Sequence, residues 1–205
     1  MITPKRSLAI GVTGGIGSGK SEVCAIFQSL GGKIISSDTF AKELMNTDQK
    51  IRRRIIKEFG EGMYKEDGTL DRKSMAKLIF SDESSKDTIN AIVHPVVIEH
   101  IANAIDASRN SSSPKLLFIE SALIYDIEID EMFDFIILVL SDEDRRIDRV
   151  MKRDSVPKTE VMQRQSAQMP PEKFSDDADF VIDNNGDIAK LKTNCAFLYT
   201  ILAQL

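Results

Sequence analysis

Short apolar runs that end in glycine or polar residues alternate along this chain with stretches whose apolar positions recur every three to four residues. The first run, residues 8–13, meets a glycine cluster and is followed by Val23, Ile26, Phe27 and Leu30 at helical spacing. This predicts a strand, a loop and a helix over 20–30. Gly31 and Gly32 stop that helix, and residues 33–36 read as a second strand that delivers Ser37 and Asp38 to the start of a further helix. From Asp48 to Arg109 the period is helical, with segments at 51–59, 72–80, 84–93 and 95–107 and a turn-rich gap at 65–68. The simplest account is a helical insertion, closed by an exposed polar loop at 108–114. Continuous apolar runs at 116–119 and 135–140 predict strands buried on both faces, and 180–182 predicts a last short strand. Between Asp142 and Lys173 the chain is charged and helical, broken at Pro157 and stopped at Pro170 and Pro171, which suits a mobile lid. A turn at 184–186 leads into a terminal helix.

Five strands interleaved with helices predict an α/β fold with a mainly parallel sheet, where ligands collect beyond the carboxyl ends of the strands. A chain of 205 residues buries a full core yet needs only one compact domain with inserted subdomains. The 42% hydrophobic and 29% charged fractions exclude a disordered chain. A formal net charge of -5 argues against a broad basic surface for nucleic acid, so recognition of phosphate must be local. The two cysteines, Cys24 and Cys195, form no CxxC and read as buried, reduced thiols. Residues 1–7 do not resemble a signal peptide, and no apolar run reaches the roughly 18 residues that span a bilayer. The expectation is a cytoplasmic protein without a membrane segment.

Gly14-Gly15-Ile16-Gly17-Ser18-Gly19-Lys20-Ser21 fits GxxxxGK[ST] in full, between a predicted strand and a predicted helix. The glycines let backbone N–H groups turn inward around phosphates, and the helix N-terminus adds partial positive charge. In this pattern Lys20 reaches the β- and γ-phosphates and the Ser21 hydroxyl suits Mg²⁺. Gly14, Gly15, Gly17, Ser18, Gly19, Lys20, Ser21 and Glu22 are therefore the expected nucleotide contacts. The motif fixes the nucleotide phosphates but leaves the reaction open. No NKxD is present, and the single DxxG, at 183–186, comes too late in the chain for a GTPase switch. No LSGGQ-like signature marks a transport ATPase. A small-molecule kinase is the leading class.

Several segments together resemble the dephospho-CoA kinase family: residues 13–21, Asp38 after Ser37, Val93-His94-Pro95, Arg149 with Arg153 and Asp154, and the late Ala178-Asp179-Phe180-Val181-Ile182-Asp183-Asn184-Asn185-Gly186. The resemblance covers nearly the whole chain. It implies ATP-dependent phosphorylation of the ribose 3'-hydroxyl of dephospho-CoA, the last step of coenzyme A synthesis, with Mg²⁺. It also implies a three-layer P-loop fold divided into a nucleotide core (1–47, 114–141 and 174–205), a helical CoA-binding insertion (48–113) and a lid (142–173). The chain departs from the common family pattern at Ser36, where many members have Asp, at Lys42, where they have Arg, and at residues 121–123, where they have Pro-Leu-Leu.

In this scheme Asp38 orients and deprotonates the acceptor hydroxyl, although an aspartate at a helix start also serves as a cap. Arg145, Arg149 and Arg153 recur every four residues on one helix face. Arg149 and Arg153 match the family and are expected to neutralise the transferring phosphoryl group, whereas Arg145 also suits a solvated face. Arg164 and Gln168 are further lid candidates. Glu120 ends a buried strand where a carboxylate either holds Mg²⁺ or caps. His94, beside Pro95 at an expected helix junction, is an acceptor-site candidate through the resemblance. Asn184 and Gly186 lie in a turn whose backbone is placed to read adenine, or is simply a turn. The run Arg52-Arg53-Arg54 reads as solvated. A nucleoside or nucleotide kinase, or a nucleotide-gated binding module without acceptor chemistry, are the competing functions.

Overall fold

The computed structural model describes residues 7–111 and 116–205. Five strands, β1 (Ala9–Thr13), β2 (Lys33–Ser36), β3 (Leu117–Glu120), β4 (Phe135–Leu140) and β5 (Phe180–Asp183), pair in parallel in the order β2-β3-β1-β4-β5. Because β1 sits centrally and its successors fall on either side, its carboxyl end is a topological switch point. The register brings Val12 of β1 level with Glu120 of β3, and Thr13 level with Leu138 of β4.

Eight α-helices follow among the described residues: α1 (Lys20–Ser29), α2 (Ser37–Thr47), α3 (Gln49–Phe59), α4 (Arg72–Ser81), α5 (Glu83–Arg109), α6 (Glu143–Asp154), α7 (Lys158–Ser166) and α8 (Ile188–Gln204). Aspartates start several of them. Asp48 accepts from the N–H groups of Lys50 and Ile51, Asp71 from Lys73 and Ser74, and Asp187 from Lys190, so orphan donors of each first turn are satisfied locally. One face of the sheet packs Ile10, Val12, Phe118, Ile137 and Val139 against Val23, Phe27, Cys195 and Leu198 from α1 and α8. Phe27 and Phe118 are fully buried and stacked at 4.3 Å, each ring contributing about 1.5–3 kcal/mol by leaving water. On the opposite face Gly11 leaves room for Ile124 and Phe133.

By contacts the chain forms two compact units, Met1–Ser36 with Ala104–Leu205, and Ser37–Asn103. The first holds the sheet together with α6 and α7, and the second begins at α2. In the helical unit Tyr64 pairs with Leu70 across the turn at 65–68, and the Tyr64 hydroxyl donates to the Met45 carbonyl at 2.8 Å.

The predicted break at Pro95 is absent: α5 runs unbroken from Glu83 to Arg109 with Pro95 inside it. Ile89, Ile92, Val93, Val97, Ile101 and Ile105 form a continuous buried stripe across the proline, while Pro95 and Ala91 face solvent. Burial of that stripe offsets the roughly 3 kcal/mol cost of an interior proline, and water can satisfy the Ala91 carbonyl that loses its helical donor. His94 is therefore a mid-helix residue and not a junction residue. The helix also absorbs Ser108 and Arg109 from the predicted loop; residues 112–114 of that loop, residue 115, and residues 1–6 lie outside those described. Arg109 ends α5 on Asp134 at 3.1 Å, and Asp134 in turn accepts from the Ala9 N–H at 2.8 Å. No described helix is long and apolar enough to cross a membrane.

Candidate active site

The glycine loop leaves β1 after Thr13 and enters α1 through Gly19, whose left-handed φ of 99° is open to glycine at little cost. A side chain there would also overlap the Asn184 amide. The Ser18 N–H closes a turn on the Gly15 carbonyl at 3.1 Å. Lys20 is buried, and its ammonium donates to the Gly14 carbonyl at 2.7 Å and the Gly15 carbonyl at 3.2 Å. The cation thus lies along the inner wall of the loop. The buried Ser18 hydroxyl has no partner among the described residues.

Ser21 and Glu120, ninety-nine positions apart, meet at this edge: the Ser21 hydroxyl donates to Glu120 Oε1 at 2.5 Å. The parallel register of β1 and β3 carries Glu120 to the same level as the end of β1, where the glycine loop toward α1 begins. A hydroxyl and a carboxylate in contact are hard oxygen donors of the kind Mg²⁺ takes together with phosphate oxygens and water. Among the described residues no group of three or more His, Cys, Asp or Glu is placed to hold a metal. The Ser21–Glu120 pair fits an ion that arrives with a polyphosphate.

Arg149 is half-buried and turned toward the core. Its guanidinium donates to the carbonyls of Gly17 and Ser18 at 3.3 Å each, to the Ser141 hydroxyl at 3.1 Å and to the Asn184 carbonyl at 2.9 Å. Asn184 is buried, and its amide donates to the Ser18 carbonyl at 2.8 Å. Asn185 accepts from the Asp142 N–H at 2.8 Å and the Ser141 hydroxyl at 3.2 Å. These bonds knit the glycine loop, the start of α6 and the loop after β5 into one framework. Arg149→Ala strands several buried acceptors and is expected to cost about 2–3 kcal/mol of stability as well as turnover. A fall of about 5–10 °C in Tm is the corresponding readout for a chain of this size. An unchanged Tm with lost turnover would place Arg149 on substrate alone.

Other expected residues lie apart from this framework. Arg153 is 61% exposed and bonded to Asp154 at 2.7 Å, while Arg145, Glu22 and Gly186 are exposed. Asp154 also receives Arg164 at 2.7 Å, and these hydrogen bonds, that from Arg153 foremost, hold its carboxyl below the usual range. In the helical unit Asp38 is exposed in the first turn of α2, whose first residue Ser37 is buried. His94 is half-buried, and burial lowers its pKa, which favours the neutral imidazole. His100 stacks on Phe40 at 3.5 Å, a contact within the same unit. Cys24 and Cys195 are free and buried, their thiol pKa values raised by desolvation, that of Cys195 to about 11.

Two residues at the site carry no clear signal in the sequence. Arg146, 8% exposed, lies against Gly15 and reaches Glu172 at 3.5 Å. Its one hint is its place beside Ile147 and Val150, the buried stripe of α6. Tyr125 stacks on Phe174 at 4.3 Å; burial first, then nearby aspartates, push its phenol up to about 12.

Comparison with known proteins identifies the family. A family model described as dephospho-CoA kinase matches residues 8–190. The chain is 35% identical over 193 residues to a dephospho-CoA kinase of Salinibacter ruber, covering 93% of this chain and 95% of that one. It is 36% identical over 183 residues to that of Geobacter sulfurreducens, covering 89% and 92%. The crystal structure of TT1252 from Thermus thermophilus superposes with a TM-score of 0.78 at 31% identity, over 98% of this chain and 99% of that one. A glycine loop closed on its own lysine, a serine and carboxylate paired at the sheet edge, and a match through β5 and into α8 converge on one assignment: this chain belongs to the dephospho-CoA kinase family.

Proposed function

We infer that this protein transfers the γ-phosphoryl group of ATP to the ribose 3'-hydroxyl of dephospho-CoA, giving CoA and ADP. The observation that carries the chemistry is the convergence of the Lys20 ammonium and the Ser21–Glu120 pair at the carboxyl end of β1 and β3. Family membership over residues 8–190 supports the choice of acceptor.

The α- and β-phosphates rest on the N–H groups of residues 17–21 and the N-terminus of α1. Lys20 exchanges the Gly14 and Gly15 carbonyls for β- and γ-phosphate oxygens. Ser21 and Glu120 would hold Mg²⁺, which when bound supplies positive charge to the β- and γ-phosphates. The 3'-oxygen attacks the γ-phosphorus, the bond to the β–γ bridging oxygen breaks, and the hydroxyl proton passes to Asp38. Residues 48–113 present the acceptor, with the neutral His94 offering one donor and one acceptor. Residues 142–173 exclude water from the nucleotide with α6 held against the glycine loop through Arg149, and Arg153, exposed at the end of α6, is available to the transferring group. Asn184 is bonded through its side chain to Ser18, so adenine is read by the backbone of 184–186.

The test follows ADP release from ATP·Mg²⁺ with dephospho-CoA, uridine, AMP or shikimate as acceptor. Stimulation by dephospho-CoA alone is expected. Stimulation by uridine or AMP alone would make the protein a nucleoside or nucleotide kinase, and slow release unaffected by any acceptor would make it a binding module.

A further inference from the structure

The phosphate loop is supported from outside by residues that the proposed chemistry does not use. The Ile16 N–H donates to Gln168 Oε1 at 3.1 Å, a bond spanning 152 positions. Beside it, a side chain at Gly15 would overlap Arg146 Nη1 and come within 3.1 Å of Pro171. Arg146 Nε is buried without a hydrogen-bond partner among the described residues. The segment carrying Gln168 is itself tethered: the Met169 N–H donates to Asp126 at 3.1 Å, and Phe174 stacks on Tyr125. Residues 168–174 therefore form a strap from the glycine loop to the segment following Glu120.

We propose that Gln168 is a positioning residue that sets the γ-phosphate end of the glycine loop. Lys20, the residue of this motif that reaches the β- and γ-phosphates, is bonded to the Gly14 and Gly15 carbonyls, which puts the stretch 14–16 at the terminal-phosphate end of the loop. Its inner wall is held by Lys20 through the Gly14 and Gly15 carbonyls. When the ammonium turns to phosphate those bonds are given up, and the outer contacts of Gln168 and Arg146 are what keep the wall in place. Preorganisation of this kind matters for a ligand that carries a γ-phosphate and little for one that does not.

The inference rests on the reading of this loop as the seat of ATP but not on the identity of the acceptor, so it is tested by nucleotide binding without acceptor. Calorimetric titration of the full chain with ADP·Mg²⁺ and with a non-hydrolysable ATP analogue, in wild type and Gln168→Ala, is the experiment. The variant is expected to bind the triphosphate about 3- to 12-fold more weakly and ADP within about 2-fold of wild type, since one neutral hydrogen bond is lost. Equal weakening of both ligands, or of neither, would overturn the proposal. Wild type that binds neither nucleotide would instead overturn the ATP reading beneath it. Gln168 is half-exposed in a turn, which makes it a safer variant than the buried Arg146. Amide exchange gives an independent check: the Ile16 N–H should be protected in wild type and exchange at least about 10-fold faster in Gln168→Ala. An Ile16 rate unchanged by the substitution would exclude the contact.

Discussion

Asp38→Asn is expected to lower kcat by about 10² to 10⁴ while leaving ATP affinity within about 2-fold, because it removes the carboxylate proposed to take the acceptor proton and leaves the residues of the glycine loop unaltered. Asparagine keeps the shape of aspartate and remains tolerable in the first turn of α2, so the Tm should hold. Steady-state turnover with dephospho-CoA, paired with titration of the nucleotide alone, separates the two effects. A variant that turns over near the wild-type rate would end the assignment of Asp38 as base. A variant that loses ATP binding would relocate the residue to the nucleotide site.

Lys20→Ala should reduce kcat by about 10² to 10³, the scale for removing one preorganised donor from a developing negative charge. The buried ammonium bonds the Gly14 and Gly15 carbonyls, but without it Gln168 and Arg146 still hold residues 15 and 16 and the contacts of Arg149 and Asn184 still hold Ser18. Folding should therefore survive, with a Tm within a few degrees of wild type, roughly the shift of a 1 kcal/mol change. The measurement is ADP release at saturating acceptor together with a thermal melt. Turnover within about 10-fold of wild type would mean that Lys20 does not reach the transferring group. Collapse of the melt would mean that the loop depends on its lysine for shape.

The two variants probe groups of very different legibility. Residues 14–21 could be read at once because the chemistry of a phosphate cradle is local: a strand, glycines that free the N–H groups and a helix N-terminus are contiguous in sequence. Glu120 was visible as the polar end of a buried strand, but only the β1–β3 register brought it to Ser21. Arg149 stands out by its spacing and by the family resemblance, as a residue of a mobile lid. In the folded chain it instead binds four groups from three segments of the core. Arg146 is hidden in the sequence because two adjacent arginines in a charged helix look alike until one is seen to be buried. At Pro95 a sound local rule is overridden, since the apolar stripe running from Ile89 to Ile105 outweighs one lost hydrogen bond.

By itself the sequence determined the strand and helix pattern, the phosphate loop and the class of chemistry, because each rests on residues within a few positions of one another or on periodicity along a single element. Only the tertiary structure decided which side chains meet: Ser21 with Glu120, Arg149 with the carbonyls of Gly17, Ser18 and Asn184, and Gln168 with Ile16. Most of these pairings depend on strand order and helix packing over separations of about a hundred residues or more, and hydrophobic periodicity specifies which face is buried without naming its partner.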